Sequence, residues 1–326
     1  MRRLILALPL LAPMLAPGLA AAQPPEAGSR VPIRLIVPFA PGGGVDATAH
    51  ILAPPLSALL GRPILVENRP GGRGIPGAET IARATPDGMT LGLCNTAPLG
   101  MAPLQERTPY DALRDFAHIA LVAETPSVLV VPAGSRFQAA ETYLRAGRSW
   151  ARGLTYGSPA AGSLQHLQGE MLAKASGARL THVAYRGTGA ALLDLVNGQV
   201  DSVMAPLASA MPGLRAGQFR ALAVSGPAAE PSLPGVPSFA ALGFGQLTAT
   251  AWMGLSGPRD LPPAMVAALN AAVNRVLAMP EVARALREAG LTPPPGPLGP
   301  QDYERLVMDF QAAWRPVVQA AGMGVN

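Results

Sequence analysis

The run Ile33-Arg34-Leu35-Ile36-Val37-Pro38-Phe39 gives way at once to Ala40-Pro41-Gly42-Gly43-Gly44, and then to a helical pattern over residues 46–60. No other feature of the chain restricts the fold as much. A short apolar run rich in β-branched residues forms a buried strand, the Pro/Gly cluster ends it, and the change of period starts a helix. Residues 63–68 form a second strand, Pro76 opens a helix over 76–83, and Thr90-Leu91-Gly92-Leu93-Cys94-Asn95 forms a third strand. Strands alternating with helices in this way imply a parallel, doubly wound sheet. Asp46 stands where a helix cap is expected, and Pro54-Pro55 predict a break or kink in the first helix.

The same syntax returns after residue 150. A strand over 153–157, a small-residue turn over 158–163 and a helix over 164–174 come first. A strand over 179–185, the turn Arg186-Gly187, a helix over 188–197 and a strand over 199–205 follow. Between the two units lies an apolar stretch, 119–132, with no turn in its centre; beyond the second unit, 219–225 is strand-like. At these two places a chain would cross between lobes and return. The tail contains an irregular segment, a strand over 248–254 and three helical patterns; Met265, Leu269, Val273 and Val276 line one, and Tyr303, Leu306, Val307, Phe310 and Trp314 another. Such stripes are core-packing faces. The expected division is residues 30–124 with 225–326 as lobe I and 125–224 as lobe II.

A chain of 326 residues accommodates this plan, at about 150 residues per domain. With 49% hydrophobic and 14% charged residues it is neither disordered nor a coiled coil. Cys94 is the single cysteine, which excludes a disulfide framework and any CxxC motif. Met1-Arg2-Arg3, an apolar run over 4–15 and Ala20-Ala21-Ala22 have the three regions of a signal peptide, expected over residues 1–22 and cleaved near Ala22. The mature chain is therefore expected to be exported. Without Arg2 and Arg3 the chain keeps 23 basic against 20 acidic residues, a net charge of +3. The arginines are scattered and aromatic residues make up 5%, so no nucleic-acid surface is expected.

A strand, a glycine turn and a helix start present unpaired backbone N–H groups at the positive end of a helix, a ready site for an anion. Pro41-Gly42-Gly43-Gly44-Val45-Asp46 is one such turn and Ser158-Pro159-Ala160-Ala161-Gly162-Ser163 another. The first lacks the Gly-Lys-Ser/Thr of a nucleotide P-loop and the G-x-G-x-x-G spacing of a dinucleotide fold. Ser163 and His166 stand three apart, a spacing open to a nucleophile–base pair, but no G-x-S-x-G elbow surrounds them and a capping serine accounts for the same residues. His50, His118 and His182 are dispersed, with no metal-ligand spacing. No catalytic residue, cofactor or metal is expected.

At this point the residues carry a resemblance. Val37-Pro38-Phe39-Ala40-Pro41-Gly42-Gly43-Gly44-Val45-Asp46 resembles the opening motif of the Bug-type extracytoplasmic solute receptors of tripartite tricarboxylate transporters. Val66-Glu67-Asn68-Arg69-Pro70-Gly71-Gly72, Pro86-Asp87-Gly88-Met89-Thr90-Leu91, Gly162-Ser163-Leu164-Gln165-His166-Leu167, Tyr185-Arg186-Gly187, Gly198-Gln199-Val200-Asp201 and Pro234-Gly235-Val236-Pro237-Ser238 continue it in the family's order. The resemblance implies an α/β, two-lobed periplasmic-binding-protein fold of type II-like form, with a ligand cleft between lobes. It implies capture of a small carboxylate, held largely by main-chain amides and hydroxyls, and delivery to membrane transporter subunits by a monomer. The implied ligand-binding residues are Phe39, Pro41, Gly42, Gly43, Val45, Asp46, Asn95 and Thr96 of one lobe. Those of the other are Ser158, Gly162, Ser163, His166, Tyr185, Arg186, Gly187 and Asp201, the last expected at a strand end near the cleft. Capping by Asp46, packing by Tyr185 and a simple turn at Asp201 are the alternatives at those positions. Two other functions stay open: an exported hydrolase using Ser163 and His166, and a ligand-sensing receptor for a membrane signalling partner.

Overall fold

The strand–turn–helix unit beginning at residue 33 is present as β1 (Ile33–Val37), α1 (Gly44–Leu60), β2 (Ile64–Asn68), α2 (Ile75–Ala82) and β3 (Thr90–Asn95). The computed structural model describes residues 31–324, so the expected signal peptide lies outside the described residues. β1 pairs in parallel with both β2 and β3, as helical crossovers require. There follow α3 (Ala102–Gln105), β4 (Phe116–Pro132), α4 (Ala140–Ser149), β5 (Leu154–Ser158), α5 (Leu164–Ser176), β6 (Leu180–Ala184), α6 (Thr188–Val196), β7 (Ser202–Pro206) and α7 (Leu207–Arg215). The chain then forms β8 (Phe219–Val224), β9 (Thr250–Pro258), α8 (Pro263–Leu277), α9 (Pro280–Glu288) and α10 (Pro300–Ala320).

β4, 17 residues long, belongs to two half-sheets. Its first part, Phe116 to Pro126, pairs antiparallel with β9; from Ser127 onward it pairs antiparallel with β7 and β8. The change of partner falls at Pro126, which has no N–H to give to a ladder. One half-sheet therefore runs β2-β1-β3-β9-β4 and the other contains β8, β4, β7, β5 and β6. The parallel pairing expected of the two strand–helix units is present, and antiparallel strands join them. Parallel pairing is confined to β1–β3 and β5–β7, because strands that carry the chain out to the second half and back must run oppositely.

Each half buries its own apolar layers. Leu52 and Leu56 of α1 pack with Met265, Leu269, Val273 and Val276 of α8 on one face of the first half. Ile81, Tyr303, Val307, Phe310 and Trp314 cover the other face. In the second half Tyr143 and Leu144 pack on Leu129 and Leu154, while Leu195, Ala210 and Met211 pack on Val128 and Val203. Each Leu, Ile, Val, Met or Phe among them contributes about 1.5–3 kcal/mol on burial.

α1 does not break. It runs unbroken from Gly44 through Pro54 and Pro55 to Leu60. The carbonyls of His50 and Ile51 lose their donors, but His50 and Pro54 are exposed, so water reaches that side while Leu52, Ala53 and Leu56 hold the opposite face in the core. Gly43 is the cap residue, and Asp46 is the third helical residue rather than the cap.

Candidate functional site

Parallel pairing sends the carboxyl ends of β1, β2 and β3 (Val37, Asn68, Asn95) to one edge and those of β5, β6 and β7 (Ser158, Ala184, Pro206) to another. Ligands of open α/β sheets bind at such edges. Here the two edges meet. A methyl group on Gly44 would come within 3.0 Å of Ala208 Cβ and 3.7 Å of Ser209 Oγ, so the first turn of α1 lies against the first turn of α7. Gln105 Nε2 donates to Gly162 O at 2.6 Å, joining α3 to the turn before α5. Two cavities, of about 480 Å³ beside Arg107 and Arg315 and about 400 Å³ between α1 and β2, lie away from these contacts. The halves are drawn together at the candidate cleft.

The first loop is organised by one carboxylate. Gly42, at φ +85°, directs its N–H to Asp46 Oδ2 at 2.8 Å, and Asn68 Nδ2 donates both to Asp46 Oδ1 at 2.8 Å and to Phe39 O at 3.0 Å. Only glycine adopts that backbone readily. Gly43 offers no capping side chain, so the amides of Gly44, Val45 and Asp46 have no intrahelical acceptor, in a turn that lies against the start of α7. The Val45 side chain is buried in the core. The Phe39 ring lies over Gly74, while Pro41 is exposed. Asn95 Oδ1 accepts the Ala97 N–H at 3.0 Å and so begins a π-helical turn, Thr96–Met101, in which Thr96 is buried.

The second loop is knit by hydroxyls and imidazoles. Ser163 caps α5 by accepting the His166 N–H at 3.2 Å, while the Gly162 N–H donates to His166 Nδ1 at 2.9 Å. The His166 proton therefore sits on Nε2, 3.7 Å from Glu170 Oε1. Ser158 Oγ donates to Ala160 O at 3.0 Å, which makes His182 Nε2, at 2.7 Å, the donor to it. His166 and His182 stack, ring centroids 3.6 Å apart. Burial holds His166 below the usual imidazole range against the opposing pull of Glu170. Burial, with the neighbouring His166 adding to it, lowers His182 to about 4. Both rings are neutral at pH 7 and serve as hydrogen-bonding struts.

The turn after β6 leans on this loop. Tyr185 N–H donates to Ser158 O and Gly187 N–H to Pro159 O. Tyr185 OH donates to Asp194 Oδ2 at 2.9 Å, turning its hydroxyl to α6. Arg186 is exposed and forms no ion pair or hydrogen bond among the described residues.

Asp201 is a correction. It lies before β7, at the amino end of the strand, where its carboxylate accepts from Thr155 N–H and is clasped by both terminal nitrogens of Arg152. Thr155 is three residues from Ser158, so Asp201 is about 10 Å from the cleft edge. Arg152 and the Thr155 bonds lower its carboxyl pKa despite burial, which marks a structural clasp. Sequence reasoning missed Gln105 and the Pro206–Ser209 turn. A small-residue run behind Pro206 was the available signal for a helix start there, whereas Gln105 reaches the site across a contact 57 residues away in sequence.

Nor do Ser163 and His166 form a nucleophile–base pair: the hydroxyl caps the helix, and His166 Nδ1 is occupied by the Gly162 amide. Two α/β halves sharing β4, with helix starts facing each other where they meet, define a solute-binding protein of the two-lobed periplasmic type. A solved R. palustris structure with adipate is 31% identical and has a TM-score of 0.86, covering 92% of this chain and 99% of that one. MatC of Rhodopseudomonas palustris with bound malate is 31% identical at a TM-score of 0.80, covering 88% and 98%. BugT of Bordetella pertussis strain Tohama I is 30% identical over 307 residues, 94% of either chain. The sequence profile described as tripartite tricarboxylate transporter family receptor matches residues 48–323. The chain belongs to that receptor family. It is a solute-binding receptor and not an enzyme, which removes the hydrolase alternative.

Proposed function

We propose that this receptor captures a small organic carboxylate in the periplasm, between lobe I (residues 30–124 and 225–326) and lobe II (125–224), and passes it to the membrane subunits of its transporter. The observation that carries the reading is the meeting of two strand–turn–helix edges, with the uncapped amides of Gly44, Val45 and Asp46 on one side and the Ser158 to Ser163 turn on the other. Backbone amides at a helix start favour a carboxylate through both hydrogen bonds and the helix dipole. The free guanidinium of Arg186, on the flanking turn, suits a second carboxylate. The related structures with adipate and malate support a ligand of this class. Tyr185 and Asp46 act behind the ligand by holding their loops.

No helix among the described residues is long and apolar enough to cross a membrane. The receptor acts as a monomer with its leader, residues 1–22, removed; size-exclusion chromatography and mass spectrometry of the exported protein check both. The binding test is a thermal-shift and calorimetric panel of mono-, di- and tricarboxylates. A ligand at a hundredfold excess over Kd stabilises by about 2.7 kcal/mol. A broad panel that leaves the melting temperature unchanged defeats the reading. Pull-down of solubilised transporter subunits, with and without the carboxylate, tests the delivery step against a signalling partner.

A further inference from the structure

We propose that Gln105 is a positioning residue that couples closure of the two halves to formation of the second carboxylate loop; this rests on the receptor reading above. Gln105 ends α3, on the first half, yet its Nε2 donates across the junction to Gly162 O. Its carboxamide occupies the space a Gly162 side chain would fill, since a Cβ there would lie 2.1 Å from Oε1 and 2.7 Å from Cδ. Gly162 is at φ +73° and its N–H is held by His166 Nδ1, so this one residue is gripped at its N–H by its own half and at its carbonyl by the opposite half. Gly162 directly precedes Ser163, the cap of α5, and its orientation sets where the open amides of Leu164 and Gln165 point. With the halves apart, the Gly162 carbonyl loses Gln105 and the loop loses that constraint.

Gln105 is itself anchored. Its neighbour Glu106 accepts from Arg73 Nη1 at 2.8 Å, and Arg73 is the one non-glycine residue at positive φ among the described residues, at φ 54°. An arginine held in that conformation persists only where the surroundings enforce it. The Arg69-Pro70-Gly71-Gly72-Arg73-Gly74 turn, outside the ligand loops, is thereby assigned the task of aiming α3 at Gly162. Leu164 and Leu167 share an apolar cluster with Leu99 and Leu104 at the same place, and apolar packing of that kind carries no direction.

The test measures the distance between spin labels at Ala58→Cys and Lys174→Cys, both exposed positions, in the full-length mature protein; buried Cys94 stays unlabelled. In the ligand-free protein Gln105→Ala is expected to raise the open-to-closed ratio about fivefold, the worth of one hydrogen bond. Gln105→Glu is expected to open the halves while its carboxylate is ionised, and to close them again as acidification restores a proton to donate to Gly162 O. The wild type at each pH controls for Glu106, Glu170, His166 and His182 nearby. Matching circular dichroism and melting curves confirm folding, and the Gln105→Glu titration stands as the second variant should Gln105→Ala unfold. Identical distance distributions for wild type, Gln105→Ala and Gln105→Glu at every pH overturn the proposal. That outcome is distinct from failure of the receptor reading, which a carboxylate panel on the wild type decides alone.

Discussion

Asp46 separates two explanations of the first loop: a carboxylate that holds the loop, or one that meets the ligand. It is buried, 6% exposed, and accepts from Gly42 N–H and Asn68 Nδ2 at 2.8 Å each. Hydrogen bonds to a charged group contribute about 1.5–3 kcal/mol apiece. Gly42 is exposed, so water replaces part of what its amide loses, and the lower end applies. Asp46→Ala should therefore cost about 3 kcal/mol, a fall in melting temperature of roughly 6–12 °C at 1 kcal/mol per 2–4 °C. Asp46→Asn keeps one acceptor and turns an amide toward the other donor, so it should fall between the two. Scanning calorimetry of the ligand-free protein measures the loss, and titration with a bound carboxylate measures any change in affinity. A melting temperature unmoved by Asp46→Ala, together with lost binding, would refute the loop role and return Asp46 to the ligand.

Gly43 adopts an ordinary φ of −85°, and a Cβ there would meet only Ala40 O at 3.9 Å. Gly43→Leu should leave the melting temperature unchanged while preventing carboxylate binding, as thermal shift with and without ligand reports. Arg186→Ala should weaken a dicarboxylate more than a monocarboxylate, with an effect that shrinks as salt rises, which calorimetry at two ionic strengths measures. Ser163→Ala removes the α5 cap and should cost about 1 kcal/mol of stability, read from denaturant unfolding, with no change in a background rate of ester hydrolysis. Burial lowers both His118 and His182 to about 4, below the 6.5 of an unfolded imidazole. The unfolded chain therefore binds protons first as the pH falls, so stability is full above pH 6.5 and declines between 6.5 and about 4. Urea midpoints across that range should fall, and His118→Gln should flatten the slope.

Sequence alone determined the elements that repeat: β1, β3, the glycine turn before α1 and the serine-capped start of α5 are all visible as local patterns. Their causes are local too, since side-chain periodicity, proline's fixed φ and glycine's free one act within a few residues. It also carried the family, through motifs spread along the chain. What a residue's polar atoms meet is a different matter. Asp46 looks the same as a cap, a ligand contact or a loop brace until Asn68 arrives from β2 to claim one of its oxygens. Asp201 belongs to a motif beside a strand, and only the register of β5 against β7 reveals that the motif stands at the far end from the cleft. The antiparallel return through β4 and β9, the meeting of Gly44 with Ala208 and the reach of Gln105 to Gly162 depend on packing between segments many residues apart. Chain folding brings those partners together through burial of apolar surface, a force with no direction, so no short window of sequence records which polar groups it leaves facing each other.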